Sequence, residues 1–117
     1  MTTGTSIPPT LDLLQGTLDL LVLKALSWGT RHGYAVASWI RDRSGDEFLV
    51  EEGALYPALH RQERRGWVES EWGLSENNRK AKFYRLTPMG RAQFRAEASL
   101  WARYVSAVGR VLGTAER

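Results

Sequence analysis

The spacing of apolar residues along this chain of 117 residues changes at Gly66 from a helical to a strand pattern. Before Gly66 the apolar residues recur three and four positions apart, as on one side of a helix. After it, Val68, Ser70 and Trp72 alternate with other residues, as they do in a strand. Three helical segments followed by a short strand pattern restrict a chain of this length to a small α+β domain.

The first two helices are indicated by apolar spacing and by glycines that end them. The first helix is predicted to begin near Leu11 and to end before Gly29, and the second to begin near Gly33 and to end at Gly45. The first helix also has a second apolar stripe on its opposite side, which predicts a second packing partner. That stripe contains Leu13, Gly16, Leu20 and Leu23.

The third helix lies in "EEGALYPALHRQERRGW", residues 51–67. Pro57 is tolerated in a helix only near its first turn, so this helix should begin close to Gly53 or bend at the proline. At 100° per residue, its inner side should carry Leu55, Ala58, Leu59 and Gln62. The opposite side should carry Gly53, Tyr56, His60, Arg61 and Arg64.

A two-stranded hairpin with a polar loop should follow the third helix, and a long helix should follow the hairpin from Pro88 to about Leu112. The hairpin loop and its exit strand form a second basic cluster with only Glu76 against it: Arg79, Lys80, Lys82 and Arg85. The long helix has a heptad seam, which predicts packing on a partner chain. The seam consists of Phe94, Ala98, Trp101, Val105, Val108 and Leu112.

Three helices, a two-stranded hairpin and a C-terminal dimerisation helix are the order of a mainly α (α+β) winged helix, whose third helix enters the DNA major groove. Residues 1–10 should be a flexible lead-in, residues 11–87 the winged-helix DNA-binding domain and residues 88–117 the dimerisation helix. The predicted DNA-binding residues are Tyr34, Tyr56, His60, Arg61, Arg64, Arg79, Lys80 and Lys82. Core packing for Tyr34 and a plain surface position for His60 are the alternatives.

Composition argues against other classes of function. The net charge of +3 allows a polyanionic partner without requiring one. With no cysteine, only two histidines and no serine in a nucleophile setting, the chain should be neither an enzyme nor a metal protein, and no cofactor is expected. The longest strongly apolar run, Leu20 to Leu23, is too short to span a membrane, so the cytoplasm is the expected location.

The chain resembles the PadR-like family of transcriptional regulators in four motifs that occur in order between residues 16 and 91. These are "GTLDLLVLKAL", "HGYAV", "GALYPALHR" and "KFYRLTPMGR". Ala54 stands where the family commonly has threonine, and Gln62 where it usually buries a leucine. The resemblance, to the compact branch with a single short C-terminal helix, implies a homodimeric repressor whose C-terminal helix makes the dimer and which responds to small, often aromatic, ligands.

The sequence thus favours a dimeric repressor of double-stranded DNA, and the alternative is a protein-interaction module on a winged-helix scaffold that no longer binds DNA. The dimer interface should include the heptad seam together with Leu13 and Leu20. Trp101 has two interpretations, as dimer core or as a stacking platform for a small aromatic effector. In the second, Gly16 and Leu20 would wall the same space.

Overall fold

Four helices and three strands make up the described part of the chain. The computed structural model describes residues 11–14 and 16–114, so the predicted lead-in at residues 1–10 and the last three residues of the predicted dimerisation helix lie outside the described residues. In chain order the elements are α1 (Thr17–Leu26), β1 (Arg31–His32), α2 (Gly33–Arg43), α3 (Glu52–Arg64), β2 (Val68–Leu74), β3 (Lys80–Leu86) and α4 (Pro88–Leu112).

Helix α1 begins at Thr17, and the prediction that it begins near Leu11 is wrong. Gly16 precedes it with a φ of 87°, in the left-handed region that interrupts a right-handed helix. Residues 11–14 are not helical, and the Leu11 N–H donates to the Glu47 carbonyl over 2.9 Å. Leu11 and Leu14 therefore lie on an exposed segment beside the connection from α2 to α3 and not on the apolar stripe of α1.

The core lies where α1, α2 and α3 meet the base of the sheet. Helix α3 buries the four residues expected on its inner side, which confirms that prediction. Leu23, which was expected on the second stripe of α1, is fully buried inside this same core, so its packing partner is its own chain. The main buried residues are Val22, Leu23, Leu26, Val36, Ile40, Leu55, Leu59, Val68, Tyr84 and Leu86.

Gln62 is the one polar residue in the buried set of the described chain. Its Nε2 donates to the Asp19 carbonyl over 3.0 Å, while its Oε1 has no hydrogen-bond partner among the described residues. A buried acceptor without a partner typically costs about 1–3 kcal/mol. The Gln62 amide nevertheless links α3 to α1 by a hydrogen bond, which a leucine at this position could not form.

The sheet has three antiparallel strands in the order β1, β3, β2, whereas the sequence predicts two. Strand β1 adds two residues to the edge, with Arg31 opposite Tyr84 and His32 opposite Phe83. Two residues are too few for an alternating pattern to show, which explains why β1 was missed. His32 also ends the strand as the N-cap of α2, because its Nδ1 accepts the Ala35 N–H over 3.1 Å.

Helix α4 has the bounds predicted from Pro88 to Leu112. The Thr87 hydroxyl caps it by accepting the Gly90 N–H over 3.0 Å and donates to the Gly66 carbonyl over 2.6 Å. Gly90 then packs directly against the backbone of Trp67. The first turn of α4 is thus fixed on the domain, while most residues beyond it are exposed.

Candidate nucleic-acid interface

The outward side of α3 has two parts. Gly53, Ala54 and Pro57 are exposed and carry little side chain, so the first half of this side is flat. His60 and Arg64 are exposed and Arg61 is partly exposed, so the second half is basic. Because residues 53, 57, 60 and 64 are three or four positions apart, both parts belong to one continuous strip along the helix.

Arg61 does not stand free on this strip, since it is paired with Asp19 of α1. Its Nη2 lies 2.7 Å from Asp19 Oδ1 and its Nε 3.4 Å from Asp19 Oδ2. Donation of these hydrogen bonds to the Asp19 carboxylate raises the pKa of the Arg61 guanidinium. Arg65 approaches the same carboxylate at 3.9 Å. Sequence reasoning missed Asp19 because it lies far along the chain from the helix it contacts.

Arg64 and His60 form no salt bridge within the described part of the chain. Arg64 is therefore the basic residue of α3 whose charge is neither compensated nor shared with Asp19. A guanidinium in that state can donate two hydrogen bonds to a guanine edge or pair with a phosphate.

The two tyrosines predicted to contact DNA differ in exposure. Tyr34 is 71% exposed in the first turn of α2 and stacks on the His32 ring at 6.4 Å, which excludes the alternative of core packing. Tyr56 is partly buried and packs against the core. Its hydroxyl lies so close to Gly33 that a Cβ there would be 2.6 Å from it. Contact of either hydroxyl with a phosphate stays a prediction.

The hairpin of β2 and β3 has two chemically different faces. Its register places Ser70 opposite Tyr84, Trp72 opposite Lys82 and Leu74 opposite Lys80, so these six side chains share one face. At the base this face is buried by Val68, Tyr84 and Leu86. Towards the tip it becomes exposed and carries Trp72 and two lysines, with Lys80 Nζ 5.1 Å from the Trp72 ring. We call this the inner face of the wing.

The outer face of the wing is acidic, and Arg85 belongs to it. Arg85 Nη2 lies 2.8 Å from Glu69 and its Nη1 3.3 Å from Glu71. The expectation that only Glu76 opposes the basic cluster is therefore wrong for Arg85, whose charge is compensated across the strands. Arg79, Lys80 and Lys82 form no salt bridge with any described residue and remain the cationic part of the wing.

The residues predicted for the dimer interface divide into two groups. Leu13, Leu20, Phe94 and Ala98 are partly buried within the chain, and Phe94 packs against the core beneath Lys24. The second group lies on the projecting part of α4 and is exposed, and it consists of Trp101, Val105, Val108 and Leu112. Leu100, Tyr104 and Val111 add to this exposed apolar surface, although the seam did not include them.

Gly16, Leu20 and Trp101, predicted to wall one space, do line a common groove of about 270 Å³ between α1 and α4. Tyr104 extends its aromatic wall, with its ring 6.0 Å from that of Trp101. A larger groove of about 740 Å³ on the neighbouring side shares Leu20 and Trp101 and also contains Phe94.

Residues 11–14 and 16–114 contain neither a metal-binding cluster nor a membrane-spanning helix. No group of three or more acidic or histidine side chains in this part of the chain is arranged to hold a metal ion. None of its helices combines the length and apolar character needed to cross a membrane.

Comparison with known proteins relates this geometry to a family. Residues 22–96 match the family described as "Transcriptional regulator PadR-like family". A PadR family transcriptional regulator from Eggerthella lenta is 32% identical, with a TM-score of 0.72 over 86% of this chain and 85% of that one. A PadR family transcription regulator from Clostridium difficile is 28% identical, with a TM-score of 0.70 over 83% and 98%.

A PadR-like transcriptional regulator from Bacillus cereus is 25% identical to this chain, with a TM-score of 0.73 over 85% of this chain and 94% of that one. The family match covers more than half of the chain, from within α1 to the first part of α4. This chain belongs to the PadR-like family of transcriptional regulators.

Proposed function

We propose that this chain is a cytoplasmic, homodimeric repressor that recognises an inverted-repeat operator in double-stranded DNA. The observation that carries the proposal is the distribution of uncompensated cations. Arg64 on α3 and Arg79, Lys80 and Lys82 on the wing form no salt bridges within the described residues, whereas Arg85 on the acidic outer face is paired. Helix and wing together would then meet base edges and flanking phosphates.

The wing supports one orientation on DNA. Trp72, Lys80 and Lys82 lie on the inner face, while Glu69 and Glu71 lie on the outer face. Since phosphates are repelled by carboxylates and attracted by lysines, the inner face is the one that DNA would approach. Trp72 is 62% exposed there and can pack on the sugar and base edges beside the phosphates that the lysines bind.

The dimer part of the proposal rests on the exposed apolar surface of α4. Large apolar side chains repeated along a projecting helix are typical of a surface covered by another chain. A twofold dimer would place two α3 helices in successive major grooves, with half-site centres about 34–36 Å apart. The expected operator is therefore an inverted repeat.

Binding to DNA tests the proposal through single substitutions. Arg64→Ala is expected to lower operator affinity by about 1–3 kcal/mol and to relax the preference at one base pair. Lys80→Ala should weaken binding to all sequences and flatten the plot of log affinity against log salt by about 0.9 per protomer, or about 1.8 for the dimer. Fluorescence anisotropy with the duplex that wild type selects from a random pool, and with a random duplex, measures both effects.

Arg85→Ala is the matched control, since its charge is already compensated by Glu69 and Glu71. It should leave both the affinity and the salt slope close to those of wild type. Selection of no duplex by wild type, or equal binding by wild type and a variant lacking Arg61, Arg64, Arg79 and Lys80, would instead favour the protein-interaction module.

We also propose that a planar aromatic effector binds beside Trp101 and releases the operator. The groove lined by Gly16, Leu20 and Trp101 lies at the junction of α1 and α4, so an occupant there would bias the angle between α4 and the winged-helix domain. Indole stacking contributes about 0.5–1.5 kcal/mol per ring beyond area burial.

Quenching of tryptophan fluorescence by a panel of planar aromatic compounds tests the effector site. An effector should quench wild type more than Trp101→Phe and should weaken operator binding by wild type alone. Trp39→Phe on α2 is the control that also removes one of the five tryptophans. If no compound distinguishes wild type from Trp101→Phe and none changes operator affinity, Trp101 is dimer core and the effector proposal is wrong.

A further inference from the structure

Three residues from the last turn of α3 and its C-cap contact a single residue of α1, Asp19. Asp19 accepts two hydrogen bonds from Arg61 through its carboxylate and one from Gln62 through its backbone carbonyl. Arg65 Nη1 lies 3.9 Å from the same carboxylate. Only 18% of the Asp19 side chain is exposed, against 39% for Arg61. The carboxylate is thus enclosed while the guanidinium it holds reaches the surface.

This geometry fixes the direction of Arg61 and cancels its charge locally. A fork of two N–H groups on one carboxylate leaves the guanidinium plane little freedom to rotate. The remaining nitrogen, Nη1, has no hydrogen-bond partner among the described residues. Arg61 and Asp19 also line an open cleft of about 1010 Å³ between the start of α1 and α3, and the Arg61 side chain is partly exposed.

We propose that Asp19 is a specificity-determining residue, which aims the free edge of Arg61 at the DNA and withholds the charge of Arg61 from phosphates. The inference rests on the DNA-binding function proposed above. A guanidinium that is free attaches to any phosphate and adds affinity for every sequence. A guanidinium held by a carboxylate still donates hydrogen bonds to a base edge but adds little affinity for the backbone, so the ratio of specific to random binding rises.

The ion pair between Arg61 and Asp19 is not needed to hold α1 against α3. Helices α1 and α3 are already joined by the apolar core, in which Val22 and Leu23 pack with Leu55 and Leu59. Gln62 adds a polar link from the buried side of α3. Arg61 instead contacts Asp19 from the exposed strip that also carries His60 and Arg64, where a change in charge alters the surface offered to DNA.

A double-mutant cycle tests the inference with Asp19→Asn, Arg61→Gln and the double variant. On a random duplex, Asp19→Asn should steepen the salt slope by about 0.9 per protomer, because one more cation in each protomer reaches phosphates. The double variant should return to the wild-type slope, since its pair carries no charge, as the wild-type pair does. On the selected operator, Asp19→Asn should lower the ratio of specific to random affinity about tenfold.

Asp12→Asn is the control for net charge, because Asp12 is exposed and forms no salt bridge with the described residues. An equal steepening by Asp12→Asn, or a steepening that persists in the double variant, would overturn the inference. A wild type that selects no operator would instead reject the DNA-binding function, so the two failures are distinguishable.

A measurement on wild type covers the case in which Asp19→Asn does not fold. The Nε–H resonances of Arg61 and Arg64, assigned with single glutamine variants, are followed by NMR during titration with a random duplex. The Arg64 resonance should move and that of Arg61 should stay in place, because Asp19 keeps its Nε–H. If the two resonances move together, Arg61 leaves Asp19 for phosphates and the inference is wrong.

Discussion

Gly90→Ala is expected to lower the free energy of unfolding by about 3 kcal/mol or more, or to prevent folding. A Cβ at Gly90 would overlap the Trp67 carbonyl oxygen and lie 2.8 Å from its carbonyl carbon. Backbone atoms cannot rotate away as a side chain would. The first turn of α4 would have to shift, which would break the hydrogen bond from the Thr87 N–H to the Trp67 carbonyl at 3.0 Å. Urea denaturation at a fixed protein concentration measures the loss.

Gly53→Ala is the matched control in another helix. A Cβ at residue 53 would meet no atom within 4 Å, so packing does not require a glycine at this position. Replacing an exposed helical glycine with alanine should raise stability by about 0.5–1 kcal/mol. Equal stability of Gly90→Ala and wild type would show that α4 is not seated on Trp67 as the structure has it.

Helix and hairpin positions could be predicted because they depend on neighbours along the chain. The bounds of α4 are set by Pro88 at the start and Gly113 after the end, which has a φ of 78°. The buried side of α3 follows from helical spacing alone. Apolar spacing cannot predict where a helix begins if one residue adopts a non-helical backbone conformation. Leu14 fits the apolar stripe of α1 by its spacing, but the left-handed conformation of Gly16 separates it from the helix.

Pairing between distant segments could not be predicted in the same way. Asp19 and Arg61 are 42 residues apart, and the spacing of α3 showed only that Arg61 shares a side with Arg64. Arg85 is different, because a signal was available. A hairpin with its loop centred on Asn77 places Glu69 opposite Arg85, as the observed register does. Counting residue pairs outward from the loop would have predicted that Glu69 compensates the charge of Arg85.

The site therefore has a charge pattern that composition does not reveal. Of the basic residues placed by sequence on α3 and the wing, Arg61 and Arg85 are paired with carboxylates. On α3 and the wing, the basic residues without a salt bridge to any described residue are Arg64, Arg79, Lys80 and Lys82. Because phosphates respond to uncompensated charge, this smaller set should determine the salt dependence of DNA binding.

The apolar surface of α4 leads to the second large effect. From Leu100 to Leu112, seven large apolar side chains of this helix are exposed, including Val105 at 47% and Val108 at 38%. The heptad spacing places these two valines on the same side as Trp101 and Leu112. Lysine at both positions would bury two charges in any interface formed along this side, which is strongly unfavourable.

Wild type is therefore expected to be a dimer at micromolar concentration by size-exclusion chromatography with light scattering, and Val105→Lys/Val108→Lys a folded monomer. A monomer engages one half-site at a time, so its operator affinity should fall about 100-fold or more. Ala96→Lys/Ser99→Lys adds the same charge to exposed positions on the opposite side of α4 and should remain dimeric. A monomeric wild type would contradict the dimer, since the exposed seam would then have no partner copy.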